Sequence, residues 1–117
     1  MALTKTSKKS AIRKAWVAAL RSGKYTQGFL QLKSGKGSQA QYCCLGVLCD
    51  LAVKAGVITR FNGQCGVPRP KVVKWVGLRK AKGSYKGNDL VTRNDNGASF
   101  KAIAKIIEKQ PKGLFTE

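Results

Sequence analysis

Three of the chain's four cysteines, Cys43, Cys44 and Cys49, fall in or beside one apolar run, YCCLGVLCDLA at residues 42–52, and the fourth is Cys65. Cysteine can hold a metal, attack a substrate, close a disulfide or fill a core, and spacing separates these uses. Structural zinc takes four Cys or His ligands, usually in close pairs such as CxxC. This chain has no histidine and no CxxC, and adjacent residues on a helix diverge by about 100°, so no metal site is expected. A cysteine nucleophile usually relies on a histidine base, and there is none. Asp50, Asp89, Asp95 and Glu108 are too scattered for an acid–base pair. A disulfide is disfavoured in a reducing compartment, although Cys65 can approach a helix cysteine in three dimensions. Small, apolar, buried packing is the best account of the cysteines. The expectation is a binding protein rather than an enzyme, with no cofactor.

Asp50 stands apart in that run. An acid on a mostly buried helix must be paired, solvated at an edge, or used. Lys54, four residues on, is the expected partner.

The surface chemistry is set by 23 Lys and Arg against five acids, a formal net charge of +18, with an ordinary hydrophobic share of 43%. This describes a folded domain with a basic surface rather than a disordered tail. The excess repels itself and is relieved by anions, among which nucleic acid is the commonest partner, ahead of anionic membrane and phosphorylated small molecules. No run approaches a membrane-spanning length, and no apolar signal core lies near the start. The reading is therefore an intracellular protein without a membrane partner. The first 49 residues hold no acid, which resembles an organellar transit peptide, but cleaving them would strip a helix the core needs.

One α+β domain over residues 1–117 is expected, built from about three short helices and one or two antiparallel hairpins, with residues 1–8 as a basic arm. Ser7 or Ser10 can cap a first helix to about Arg21, burying Ile12, Trp16 and Leu20. Residues 29–32 and 39–42 read as a hairpin around a Lys/Gly tip at 33–38. Cys43–Ala55 reads as a central helix apolar nearly all round. Val57–Phe61 and Gln64–Val67 read as a second hairpin around Asn62-Gly63. Pro68 and Pro70 lead into a short helix at 71–76, residues 77–88 form a basic connector, and 90–92 reads as a strand. Ser99 then caps a last helix, Phe100–Lys109, with Phe100, Ile103, Ala104 and Ile107 inward. The Asn94–Gly97 turn ahead of that helix hints at a helix–turn–helix, a reading opposed by the extended look of 90–92.

These elements display the candidate nucleic-acid or anion-binding residues. They are Arg13, Lys14 and Arg21 on the first helix, Lys33 and Lys36 at the hairpin tip, Arg79, Lys80, Lys82 and Lys86 with Tyr85 in the connector, and Lys101 and Lys105, continued by Lys109, on the last helix. Tyr85 or Tyr25 is available to stack on a base. Taken alone, the 33–38 tip is better read as an ordinary mobile hairpin turn than as a phosphate grip.

The YCCLGVLCDLA run, preceded by WVAALRSGKYTQG and followed by KWVGL and NDNGASFKAIAKIIE, resembles a small uncharacterised family that recurs in tailed-bacteriophage genomes, over residues 15–115. The resemblance implies action in the cytoplasm of a bacterial host, and brings no activity or catalytic residue with it. Three functions compete. A nucleic-acid-binding accessory protein would contact phosphates with weak sequence specificity and strong salt dependence. A counter-defence antagonist would sequester a phosphorylated signalling nucleotide or block a host protein. A virion or assembly component would neutralise packaged genome or bridge capsid surfaces.

Overall fold

The computed structural model describes residues 5–116. Helix α1 covers Lys5–Arg21 and turns Trp16, Val17 and Leu20 into the core, with Ile12 packed beside them. It is already helical at Lys5, so neither Ser7 nor Ser10 caps it and residues 5–8 are no arm; residues 1–4 of the expected arm lie outside the described residues. Nothing in residues 5–10 breaks a helix, and a serine acts as an N-cap only where a helix begins. At the other end the Ser22 hydroxyl donates to Ala19 O at 2.7 Å, and Gly23 takes the left-handed conformation that ends the turn.

Arg13 had been assigned to the solvent face of α1, and the structure corrects this: it is 6% exposed. Its Nε donates to Val76 O at 3.0 Å, and its guanidinium lies 3.8 Å from the centre of the Phe115 ring. Val76 ends α3, Pro70–Val76, so the cation satisfies a carbonyl at the negative end of that helix. Pro70 opens α3 where a missing N–H is harmless, and Val72 and Val76 face inward.

Three two-residue strands form a sheet. β1 (Thr26–Gln27) pairs in parallel with β3 (Gln41–Tyr42), and β2 (Lys33–Ser34) pairs antiparallel on its other side. The first expected hairpin is thus present but shorter. Lys33 belongs to a strand, and Phe29–Leu32 is no strand because the chain doubles back there. The second expected hairpin is absent. The Asn62 turn forms, with the Cys65 N–H donating to Asn62 O at 3.1 Å, but the following chain serves β2 instead: Leu32 N–H donates to Cys65 O and Lys33 N–H to Gly63 O, both at 2.9 Å. An open strand edge offers more than a return to 57–61 could, since Ile58 there is buried in the core.

Helix α2, Cys44–Lys54, is the centre of the fold. Leu45, Val47, Leu48, Cys49 and Ala52 are fully buried, and Trp16 Nε1 reaches across from α1 to donate to Cys44 O at 3.0 Å. The CCLG run is explained by its first turn. Cys43 is the N-cap, its Sγ accepting from Gly46 N–H at 3.3 Å, and its own N–H donates to Leu32 O at 3.1 Å. That carbonyl sits so close above the helix that a Cβ on Gly46 would lie 1.8 Å from it. Gly46 is there for the approach of backbone to backbone.

The segment read as a strand at 90–92 is helical: α4 spans Leu90–Asp95. Val91 and Thr92 favour strands, but Asp89 Oδ1 accepts from Thr92 N–H at 2.6 Å and sets a helix start that outweighs that preference. Helix α5 covers Phe100–Lys109 behind a Ser99 cap, buries Phe100, Ile103, Ala104 and Ile107 as expected, and packs chiefly against α1. The tail then returns through buried Leu114 and Phe115, with Thr116 N–H donating to Gly77 O at 2.8 Å. Among the described residues, five α-helices and two small sheets make an α+β domain.

Candidate nucleic-acid interface

The basic connector is a folded hairpin. β4 (Ser84–Tyr85) and β5 (Asn88–Asp89) pair antiparallel, joined by Lys86 and Gly87 with φ of 45° and 80°. Two consecutive positive φ values are those of a type I′ turn, whose twist matches the strands it joins. The turn presents Lys86 at its tip, and the next residues start α4. There Arg93 donates from Nε to the Tyr85 hydroxyl at 3.2 Å. Beyond Gly97 and the Ser99 cap, α5 shows solvent a stripe of Lys101, Lys105 and Lys109, spaced four residues apart and therefore on one face.

These pieces share one surface. Lys86, Arg93, Lys105 and Lys109 line a groove of about 480 Å³ around Tyr85 and Ile106. Arg79, Lys80 and Lys86 line a second cleft of about 470 Å³ that has Tyr85 and Lys86 in common with the first. Six cations thus border two adjoining depressions.

The described acids do little to neutralise them. Asp50 accepts from the Tyr25 hydroxyl and pairs with Lys54 at 3.2 Å. Asp95 accepts from Leu30 N–H at 2.8 Å. Glu108 pairs with Arg21, with N–O distances of 2.9 and 3.0 Å; this hydrogen bonding holds the carboxyl below its usual range and raises the guanidinium. Asp89 alone borders the second cleft, and its carboxylate is engaged as the α4 cap.

Of the residues singled out from sequence, the structure brings together Arg79, Lys80, Tyr85, Lys86 and Lys105. Lys101 is exposed on the same helix face, and Lys82 is exposed in the turn before β4 without lining either cleft. Lys14 and Arg21 lie elsewhere, along a groove between α1 and α5. Lys33 is half-buried, its ammonium 5.4 Å from the centre of the Tyr42 ring, and Lys36 is exposed in the other hairpin. Arg13 is removed from the set by its burial.

Tyr85 is corrected as a stacking platform: it is 8% exposed and anchors Arg93 instead. Tyr25 is half-buried and packs edge-on against Tyr42 at 5.1 Å. Burial and the bond to Asp50 push its phenol up. Arg93 was missed because reading 90–92 as a strand left it in a turn, and Lys109 was noted only as the end of the α5 stripe.

Cys43, Cys44 and Cys49 are buried free thiols, as their apolar context implies, and Cys65 is corrected to an exposed one. Burial pushes all three inner thiols up, Cys49 to about 12, so none is a ready thiolate. Cys44 Sγ lies 3.6 Å from Leu90 O, tying α2 to α4. Among the described residues no group of three or more Cys, His, Asp or Glu side chains could hold a metal, and no helix is long and apolar enough to cross a membrane.

No curated protein and no solved structure matches the chain. The CCLG turn, the α2 core and the α4–α5 pair that organise the basic face all lie within residues 8–111, the span matched by the model of a domain of unknown function, DUF8296, and the chain belongs to that family.

Proposed function

We propose that the chain is a nucleic-acid-binding accessory protein of a tailed bacteriophage, acting inside the bacterial host, and that it binds without cleaving. The observation that carries this reading is the face on which Arg79, Lys80, Lys86, Arg93, Lys105 and Lys109 border two adjoining depressions. Long cationic side chains around an open groove suit a phosphate backbone, which is followed by charge rather than by base identity. The chain has no histidine, the side chain most often used for acid–base catalysis, which supports binding without cleavage. The phage origin rests on the sequence resemblance.

The test is an anisotropy titration against duplex DNA, single-stranded DNA and RNA across salt concentrations. Six phosphate contacts predict a log–log salt slope of about −5, a loss of roughly 10³ in affinity between 50 and 200 mM salt. Replacing Lys86, Lys105 and Lys109 by Glu should remove about three units of that slope. An unchanged slope in the triple variant would refute the assignment of this face.

A second reading, a binder of a phosphorylated small molecule, draws on a different groove. This groove of about 720 Å³ is bordered by Lys24, Tyr25, Tyr42 and Lys54, and the combination of aromatic rings and cations suits a nucleotide. Tight binding of one cyclic or linear nucleotide, insensitive to the triple variant, would favour it over the polymer.

A further inference from the structure

Phe29 and Leu30 are the large hydrophobic side chains left in solvent among the described residues, 47% and 80% exposed. Leu30 is also strained, with φ of 71° in the left-handed region, where residues other than glycine are seldom found outside sites whose surroundings impose it. The surroundings here do impose it. Leu30 N–H donates to Asp95 Oδ1 at 2.8 Å, and Gly28 is fixed on both sides. Its N–H donates to Tyr42 O at 2.7 Å, and its carbonyl accepts from the buried Asn94 Nδ2 at 2.8 Å. Gln27 adds a bond to Ala98 O at 2.7 Å. A glycine would have avoided the strain and a polar residue the exposure, and the chain uses neither.

The tip is fastened to Asn94, Asp95 and Ala98, the junction of α4 and α5. Arg93 of the basic face and Lys101 of the α5 stripe flank that junction in sequence, and Lys33 follows the tip by three residues. Two side chains are far too few for a stable protein interface, which takes about 800 Å² from each partner. They do match the apolar wedges with which basic proteins pry apart a base step. A platform for single strands would favour an aromatic ring as the most exposed group, whereas here the aliphatic Leu30 is more exposed than Phe29.

We infer that Phe29 and Leu30 form a wedge that inserts between stacked base pairs of duplex DNA and kinks it, while the cations beside the α4–α5 junction hold the flanking phosphates. The inference rests on the nucleic-acid reading above and specifies its duplex and its mode.

The experiment uses the full chain and a short duplex carrying a dye at each end and 2-aminopurine at its centre. Wild type should raise energy transfer between the dyes and brighten the 2-aminopurine as the step unstacks. Leu30→Gly, which suits the left-handed backbone and so keeps the fold, should lose both signals and bind about tenfold more weakly, as expected for losing one buried leucine, with its salt slope unchanged. Binding of wild type without either signal, or a kink that survives in Leu30→Gly and in Phe29→Ser, overturns the wedge and leaves the phosphate-binding face intact. Failure of wild type to bind duplex at any salt concentration overturns both. Self-association that Leu30→Gly abolishes, with DNA shape unaffected, would give the tip to a second copy of the chain and also overturn the wedge.

Discussion

Asn94 offers the sharpest trial of how the basic face and the apolar tip are held. It is completely buried, and its Oδ1 accepts from Cys44 N–H at 3.1 Å and Gln27 Nε2 at 3.0 Å while its Nδ2 donates to Gly28 O at 2.8 Å. One amide therefore joins α4 to the first turn of α2 and to the strand leading to Leu30. Replacing it by leucine keeps the branching and the number of side-chain heavy atoms, removes the bonds, and adds the bulk of two methyls, which can only deepen the loss. Gln27 is half-buried and can turn to water, but Cys44 N–H and Gly28 O would stay inside, each unmet group costing about 1–3 kcal/mol. The expected loss is about 2–5 kcal/mol, a large part of the roughly 6–18 kcal/mol available to a domain of this size. Urea unfolding followed by tryptophan fluorescence would report it, with m unchanged if the native state is otherwise intact. Asn94→Asp should also destabilise, because it sets a carboxylate oxygen against Gly28 O. If Asn94→Leu stayed within about 0.5 kcal/mol of wild type, a range typical of uncoupled surface sites, the amide would hold nothing together and the reasoning would fail.

Further outcomes can be read with simple assays. Gly46→Ala should be among the most damaging small substitutions, about 3 kcal/mol or more, because the new methyl meets the Leu32 carbonyl and backbone cannot rotate away; thermal melting checks it, and a change of a degree or two would contradict the close approach. A thiol reagent on the native protein should titrate one fast cysteine, Cys65, and reach the other three only on unfolding. The raised thiol of Cys49 has a linked sign. The folded state keeps the proton up to about 12, while the unfolded thiol releases it near 8.5, so this contribution is complete below that lower value and is lost as pH rises towards the higher one. Cys49→Ala should therefore show a shallower alkaline decline than wild type, whatever its stability at neutral pH.

Elements that answer to local periodicity could be read in advance. The α5 span, its Ser99 cap and its four inward residues follow from spacing alone, as does the near-complete burial of α2. The Asp50–Lys54 pair follows from its helical offset. The losses came where a local preference met a distant partner. Val91 and Thr92 favour a strand, yet the Asp89 carboxylate starts a helix. The 57–67 hairpin had good turn chemistry, but β2 offered its chain a better edge. Arg13 sits on the solvent side of α1 by spacing and is buried because α3 ends beside it. For the candidate site, Lys80, Lys86 and Lys105 were visible as charge, whereas Arg93 was hidden by the misread helix and Tyr85 was given the wrong role.

What the sequence determined by itself is the sign and size of the surface charge, the absence of a histidine-based site, the apolar centre at residues 43–52 and most of the helices. Each of these is a property of residue type or of near-neighbour spacing. Only the tertiary structure decided that the cations of a hairpin, α4 and α5 border the same depressions, that CCLG is a close approach of two backbones, and that Leu30 is held outward in a strained conformation. Those facts depend on carbonyls and carboxylates dozens of residues away, and periodicity records which way a side chain faces but not what it meets there.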